Sequence, residues 1–215
     1  ALTRPQNECG GGGLLGFRGG ERMLRQVFTW AAAVLIGAVL GVASAWASLE
    51  FGRASFAEKY GAWAHSSAAG SAGAGPYTRA IIARDGLLAL SAREALYFSL
   101  YEDENGQPLD ESCIYELSGP PLAARWWSVT LYAADNYLVR NNDHAGSVDA
   151  SRLGLTNAWR VRIAPVRGNE PNWLSSRSAG RDFSLTLRVY NPQHDFRPSA
   201  ESLPTLRTVS CAETR

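Results

Sequence analysis

The distribution of apolar and polar residues differs sharply between the start of the chain and the rest. Residues 26–49 include no charged side chain, and the run is preceded by Arg22 and Arg25 and followed by Glu50 and Arg53. A helix of this length spans the ~30 Å hydrocarbon layer of a bilayer. The arginines that precede the run favour an orientation with the N-terminus in the cytoplasm. The pattern therefore predicts one N-terminal transmembrane helix over 26–49.

A cleaved signal peptide is the alternative interpretation of the same run. Small residues at 43–47 stand at the offsets that a signal peptidase needs, so cleavage near Ala45 or Ala47 stays open. The apolar run is longer than a usual signal core, which favours the anchor. Both interpretations export the remaining chain. We expect a bacterial inner-membrane protein with its C-terminal domain in the periplasm, or a periplasmic protein after cleavage.

Two features of the N-terminal region bear on assembly and on the start of the protein. Gly37 and Gly41 form a G-x-x-x-G pair, which permits a weak homodimer through the membrane helix but also arises by chance in Ala/Gly-rich spans. Residues 1–22 are too rich in glycine to fold. Because Met23 is the only methionine, we interpret 1–22 as a non-native extension, the alternative being a disordered cytoplasmic tail.

After the apolar run, the pattern changes from helical to alternating. Residues 65–76 are small and flexible, and 78–90 have the apolar spacing of a short helix. From Ala95 the period becomes two, which is typical of strands with one buried face. Asn105-Gly106 predicts a hairpin turn with 113–117 as its return strand. The predicted strands are 96–101, 113–117, 126–132, 137–139, 159–163, 183–190 and 206–211.

Short strands separated by turn signals predict a mainly β fold. We expect an antiparallel β-sandwich or jelly-roll-like domain over residues 60–211, with one short flanking helix and the single transmembrane helix before it. The alternation also predicts which side chains face inward. They are Trp127, Val129, Leu131, Trp159, Val161, Ile163, Leu185, Leu187 and Val189.

Composition and motifs narrow the possible functions. A net charge of +1 gives no case for a nucleic-acid partner. The sequence has no phosphate loop, no dinucleotide fingerprint and no zinc-ligand spacing, so we predict neither cofactor nor metal. His144 and His194 each stand beside an aspartate in a polar loop, which is typical of solvated histidines. No catalytic residue is predicted.

One strand carries aromatic and hydroxyl side chains on its second face. Trp126, Ser128, Thr130 and Tyr132 alternate with the inward positions, and such a face can stack on sugars or apolar ligands. The alternative, which we favour, is that Trp126 packs under a loop or against helix 78–90. Asn172, Trp173, Arg188 and Tyr190 form a second set of aromatic and polar residues. In this set Arg188 either binds an anion or, as we favour, stacks on the indole of Trp173. The candidate ligand-binding residues are Trp126, Ser128, Tyr132, Asn172, Trp173, Arg188 and Tyr190.

Cys113 and Cys211 are the only cysteines after the apolar run, and both lie in predicted strands. Export places them in an oxidising compartment, where two thiols within reach normally pair. We therefore predict a disulfide between them, with two buried free thiols as the alternative. Cys9 is expected to take no part, because it lies before the membrane segment.

Several strings match one family in their order along the chain. The strand around Trp126-Trp127-Ser128-Val129-Thr130-Leu131-Tyr132 resembles the W-S-x-T-x-Y strand of the domain of unknown function 1214 (DUF1214) family. The remaining similar strings are Pro76-Tyr77-Thr78-Arg79-Ala80, Glu94-Ala95-Leu96-Tyr97-Phe98, Asn105-Gly106-Gln107-Pro108-Leu109-Asp110, Asn172-Trp173-Leu174 and Leu187-Arg188-Val189-Tyr190-Asn191-Pro192. Together they span roughly 60–211, and the chain is most similar to short, membrane-anchored bacterial members.

The resemblance implies an envelope protein with a β-rich domain and no established activity. We expect a binding or envelope-assembly role. The alternative is a periplasmic enzyme that acts on a small molecule or glycan through loops 141–157 and 165–181. Two departures from the family pattern affect these loops. Ser175 replaces the Pro that tends to follow Asn-Trp-Leu, and 141–147 lacks the usual Arg-Tyr step.

Overall fold

The structure is a computed structural model that describes residues 17–51, 57–66, 71, 73–84, 90, 91 and 93–212. The chain divides into two compact units, residues 1–50 and 51–215. Most of the predicted N-terminal extension, residues 1–16, lies outside the described residues. So does the end of the predicted helix 78–90, at 85–89.

The described part of the N-terminal unit is a single long helix. Helix α1 covers Phe17–Phe51, and its segment Met23–Ser48 has a mean hydropathy of 2.1. Within the described residues it is the one helix long and apolar enough to cross a membrane or to act as a signal sequence. At Gly37 and Gly41 no atom lies within 4 Å of the position that a Cβ would occupy. The packing of a second helix there stays a prediction.

The second unit is mainly β, as predicted. Its helices among the described residues are short, α2 over Pro76–Arg84 and α3 over Ala150–Leu153. The strands are β1 Glu58–Tyr60, β2 Trp63–His65, β3 Ala95–Leu100, β4 Leu109–Asp110, β5 Cys113–Gly119, β6 Ala124–Tyr132, β7 Ser147–Asp149, β8 Trp159–Ala164, β9 Trp173–Ser175, β10 Arg181–Pro192 and β11 Thr205–Cys211.

These strands form two sheets that pack face to face. The larger sheet has the order β1-β2-β3-β10-β6-β7, with β4 paired to β10, and the smaller sheet has the order β11-β5-β8-β9. One core cluster joins residues of both sheets, such as Val129 of the larger sheet and Val161 of the smaller one. The fold is therefore a β-sandwich. All pairings are antiparallel except β8 with β9, which is parallel.

The alternation predicted for the core is confirmed. All nine predicted inward residues are buried, and eight of them, including Leu187 in the long central strand β10, are fully enclosed at 0% exposure. Alternating residues of a strand point to opposite sides of a sheet, so a buried set fixes the opposite set as the outer face. The side chains opposite the buried ones on β6 and β10 therefore lie on the outer surface of the larger sheet.

Three local predictions were wrong, each for a physical reason. The chain turns at Asn105-Gly106, but β5 pairs with β11 and β8 in the other sheet rather than returning along β3. Residues 137–139 form no strand, because Tyr137 and Leu138 stay exposed and alternation there gains no burial. Loops 141–157 and 165–181 are partly regular, since they include β7, α3 and β9.

The predicted disulfide is present. Cys113 and Cys211 are bonded, their Cα atoms are 3.9 Å apart, and their separation in sequence is 98 residues. The two residues stand directly opposite each other at the end of the β5–β11 ladder. The bridge therefore closes the last strand onto the smaller sheet.

Candidate ligand-binding face

The outer surface of the larger sheet carries most of the predicted site residues. Strands β6 and β10 are neighbours, with Trp126 opposite Tyr190 and Ser128 opposite Arg188. Residues directly opposite each other in an antiparallel pair share one face. We call the following outward set the polar face: Trp126, Ser128, Thr130, Tyr132, Ser184, Thr186, Arg188 and Tyr190.

Two aromatic rings form one end of the polar face. The ring centroids of Trp126 and Tyr190 are 5.3 Å apart and the planes are inclined by 52°. The indole Nε1 of Trp126 donates a hydrogen bond of 3.0 Å to Oγ of Ser151, in helix α3. Helix α3 begins where the side chain of Asp149 accepts hydrogen bonds from the first backbone N–H groups. The packing partner of Trp126 is thus a short helix in a segment that we predicted to be a loop.

A cation lies further along the same face. Nη2 of Arg188 donates a 2.7 Å hydrogen bond to the phenol oxygen of Tyr132. The guanidinium carbon also lies 5.4 Å from the centroid of that ring, within cation–π range. The stacking partner is therefore Tyr132, and the predicted stack of Arg188 on Trp173 is wrong. Both side chains of the observed pair are only half-buried, so a ligand can reach them.

Hydroxyl groups occupy the floor between the larger side chains. Ser128, Thr130, Ser184 and Thr186 are between 5% and 9% exposed. In the part of the chain that the structure describes, their hydroxyls make no hydrogen bond to protein. Their oxygens are nevertheless not among the fully enclosed unpaired atoms, so each keeps a small accessible surface. The floor thus offers donors and acceptors that a ligand can use.

Tyr97 also belongs to this surface, although the sequence analysis did not select it. Arg188 of β10 has Tyr97 opposite it in β3 and Ser128 opposite it in β6, the neighbouring strand on the other side. The phenol oxygen of Tyr97 accepts a hydrogen bond of 3.1 Å from the backbone N–H of Leu90. The signal in the sequence was the alternation of 96–101. That pattern identifies a strand but does not say which strand is its neighbour.

Asn172 and Trp173 do not join the polar face, because they belong to the smaller sheet. The side chain of Trp173 is 8% exposed and packs against Ala145 and Ala164. Its Nε1 donates a 2.9 Å hydrogen bond to the backbone oxygen of Ala164. The amide nitrogen of Asn172 donates to the backbone oxygen of Arg160 at 3.2 Å. These contacts brace β8 against β9.

The two loops proposed for an alternative enzyme meet at a polar cluster. Oγ of Ser175 donates to Oδ2 of Asp143 at 2.6 Å, and Nε of Arg177 donates to the same oxygen at 2.9 Å. The amide of Asn141 donates to the backbone oxygen of Arg177 at 2.7 Å. Ser175 has 0% exposure, which prevents its hydroxyl from meeting a substrate. The cluster ties the loops together.

The same cluster joins the two departures from the family pattern. Ser175 stands where Pro is usual, and Asp143 lies in the segment that lacks Arg-Tyr. A proline at 175 would have neither the hydroxyl that Asp143 accepts from nor the backbone N–H that donates to Ala145 at 2.8 Å. A proline at 175 would therefore break the contacts that join the two segments.

Residues 94–194 match the family described as a protein of unknown function, DUF1214. The chain belongs to the DUF1214 family over these residues. The match includes every residue of the polar face and ends before β11.

One solved structure has a fold related to that of the β-sandwich unit. The VPA0106 protein of Vibrio parahaemolyticus is 23% identical with a TM-score of 0.50, and the match covers 64% of this chain and 36% of that one. An uncharacterised protein from Burkholderia cenocepacia is 15% identical with a TM-score of 0.41, covering 61% of this chain and 33% of that one. The chain thus matches about a third of the length of either protein. No curated protein matches it.

A cavity of the DUF1214 domain lies at the smaller sheet. A cavity of about 370 Å³ is lined by Asn172 among others. Its charged groups neutralise one another, since Nε of Arg160 lies 3.3 Å from Glu116 and Nη1 of Arg162 lies 3.0 Å from Glu170. Among the described residues no group of three His, Cys, Asp or Glu side chains is placed to hold a metal ion. The polar face remains the stronger candidate site.

Proposed function

We propose that this protein is anchored in the bacterial inner membrane by α1 and that its exported DUF1214 domain binds a small molecule or glycan on the polar face. The observation that carries the binding role is the set of nearly buried hydroxyls that bond no protein group, at Ser128, Thr130, Ser184 and Thr186. Polar groups placed inside a folded domain normally have a hydrogen-bond partner, either a protein group or an ordered water molecule. A face that leaves four of them available is suited to a polar ligand.

The aromatic side chains complete the case for a ligand. The rings of Trp126 and Tyr190 stand at one end of the hydroxyl floor, and Tyr132 stands at the other. Aromatic rings supply apolar contact area, while a few well-placed polar groups set the orientation of the ligand. This combination favours a ligand that has both a flat apolar surface and hydroxyl or carbonyl groups.

Two separate features support export. The segment Met23–Ser48 is long and apolar enough to cross a bilayer. Cys113 and Cys211 form a disulfide, and such bonds persist outside the reducing cytosol. A membrane anchor followed by a disulfide-bonded domain is the arrangement expected of a periplasmic protein held at the inner membrane.

The binding role is tested by screening polar metabolites and short glycans against the full chain in detergent. Thr186→Val removes a hydroxyl of the polar face and keeps the side-chain shape. Thr205→Val is the matched control, because Thr205 lies on β11 in the smaller sheet. A ligand of the polar face should bind at least about fivefold more weakly to the first variant, as the loss of one hydrogen bond implies, and unchanged to the second. Equal weakening in both variants, or no compound bound, would contradict the proposal.

A further inference from the structure

We infer that the ligand of the polar face carries an anionic group, a carboxylate, phosphate or sulfate, that pairs with the guanidinium of Arg188. This inference rests on the proposed binding function and specifies its chemistry. Arg188 lies in the central strand β10, with Ser128 opposite it in β6 and Tyr97 opposite it in β3. The cation therefore stands in the middle of the larger sheet rather than at its edge.

The donors of this guanidinium are largely unused. A guanidinium has five N–H donors in a fixed fork that matches the oxygens of a carboxylate or phosphate. In the described residues Arg188 makes one hydrogen bond, from Nη2 to the phenol of Tyr132. Tyr132 lies against the guanidinium through its ring as well. The tyrosine thereby orients the cation and leaves most of the fork open.

No carboxylate of the described residues compensates this charge. Arginines 160, 162, 177 and 181 each form an ion pair with a carboxylate, and among the described residues Arg188 forms none. On the same face, Asp149 of β7 lies opposite Ser128, one strand further from Arg188. Its side chain accepts from the backbone N–H groups of Ser151 and Arg152 at the start of α3. It is thus committed to capping a helix.

A half-buried cation without a counter-charge is unfavourable unless something compensates it. Removing a charge from water costs free energy, and proteins normally offset that cost with a paired acid. The neighbouring hydroxyl of Ser128 bonds no protein group and can donate to the same anion. An anionic ligand would satisfy both groups at once. Its remaining part would extend along the face toward Trp126 and Tyr190, which suits a sugar acid or a phosphorylated sugar.

The test compares ligands that differ in charge alone, with the full chain in a neutral detergent. D-glucuronate and D-glucose differ at one carbon, and inorganic phosphate probes the anion site by itself. Wild-type protein should bind glucuronate at least about tenfold more tightly than glucose, since one charge-assisted hydrogen bond contributes ~1.5–3 kcal/mol. The affinity for glucuronate and phosphate should fall as NaCl is raised, because salt screens charges that remain accessible.

Substitutions of Arg188 and of a control arginine test which cation binds the anion. Arg188→Gln should weaken glucuronate and phosphate by at least about tenfold and weaken glucose much less, because the variant removes the charge and keeps a polar side chain. Arg160→Gln, a cation on the smaller sheet with a side chain 71% exposed, should change neither. Arg188→Lys keeps the charge without the fork and should give an intermediate loss, which also serves if the glutamine variant does not fold.

Two failures can be told apart. If neither anion binds to the wild type, or if Arg188→Gln binds both as the wild type does, the anion inference is overturned. If glucose or another neutral compound still binds and Thr186→Val weakens it, the proposed binding function stands without the anionic ligand. If no compound in the screen binds in a way that depends on Thr186, the proposed function fails as well.

Discussion

The indole rings of Trp127 and Trp159 stack between the two sheets, with centroids 4.5 Å apart and planes inclined by 21°. Trp127 comes from β6, which also carries half of the polar face, and Trp159 comes from β8 in the smaller sheet. Both indole nitrogens are buried without a hydrogen-bond partner. The pair is therefore held by packing, and it fixes the position of β6 relative to the smaller sheet.

Gly119→Ala should disturb this stack. A Cβ at Gly119 would lie 2.5 Å from Cζ2 of Trp159, and that ring cannot retreat because it rests on Trp127. Overpacking of this kind costs ~1–3 kcal/mol. Gly146→Ala is the control, because nothing lies within 4 Å of its Cβ position, and it should cost less than about 0.5 kcal/mol. Equal free energies of unfolding for Gly119→Ala and Gly146→Ala in chemical denaturation would show that the Trp159 ring is free to move.

Leu187→Ala should be strongly destabilising. Leu187 is fully buried at the centre of β10, between Phe98 of β3 and Val129 of β6. Truncating such a side chain leaves a cavity and costs ~2–5 kcal/mol. Arg160→Ala should cost less than about 1 kcal/mol, because its ion pair with Glu116 involves a side chain that is 71% exposed. The measurement is urea unfolding of both variants. Similar unfolding midpoints for Leu187→Ala and Arg160→Ala would refute the assignment of inward and outward residues.

The core was predictable because burial on one side of a sheet forces a period of two. Trp159, Val161 and Ile163 alternate with arginines, and this local pattern is enough to say which side chains point inward. The disulfide was predictable for a similar reason. Cys113 and Cys211 are the only cysteines that follow the apolar run, so the proposed export would leave them as the two thiols available to each other.

The composition of the site was only partly predictable, because strand neighbours are set by contacts far apart in sequence. Trp126 and Tyr190 were both selected, yet nothing local says that they face each other. Trp173 stands among aromatic and polar residues in the sequence, as Trp126 does, yet it belongs to the smaller sheet. The hairpin signal at Asn105-Gly106 likewise marked a turn correctly without revealing that the next strand crosses to the smaller sheet.

The stability of the domain should depend on the carboxyl of Asp110 at low pH. The backbone N–H of Ser112 donates to this carboxylate at 2.8 Å, and Nε of Arg181 lies 3.0 Å from it, so the pKa of Asp110 is lowered. A lowered pKa in the folded state gives stability that is present above the unfolded pKa of ~3.9 and is lost as pH falls through the folded value.

Replacing this carboxyl isolates its contribution. Asp110→Asn should lose stability at pH 7 and show a shallower decline in acid than the wild type. Arg181→Gln removes the smaller, charge-based cause and should have a weaker effect of the same sign. The measurement is the free energy of unfolding between pH 2 and 6. A decline as steep in Asp110→Asn as in the wild type would assign the acid sensitivity to other groups.

The orientation of the chain can be read from reporter fusions. The arginines before the apolar segment of α1 favour a cytoplasmic N-terminus, so residues 53–215 should lie in the periplasm. A phosphatase that is active only after export, fused after Arg215, should be active, and a reporter that works only in the cytoplasm should be silent. The opposite result would place the domain in the cytoplasm. Sequencing the N-terminus of the membrane fraction separates an anchor from a signal peptide cleaved near Ala45 or Ala47.

The Cys113–Cys211 bridge should contribute strongly to stability, because it closes a long loop. For a sequence separation of 98, the chain-entropy argument gives ~4–5 kcal/mol as an upper value. Replacing both cysteines with Ala should lower the free energy of unfolding by several kcal/mol and free β11 first, since the bridge holds its last residue to β5. Hydrogen exchange in β11 should then exceed that in β8.

Thiol counting in the full chain checks the bridge itself. Cys9→Ala removes the third cysteine, so this variant should show no reactive thiol after denaturation without reductant and two after reduction. Two reactive thiols before reduction would rule the bridge out. The same assay on protein retained in the cytoplasm, by deletion of α1, should give two free thiols, because the reducing cytosol opposes the bond. A bridge formed equally well without export would remove the disulfide as support for a periplasmic location, leaving the reporter fusions to decide it.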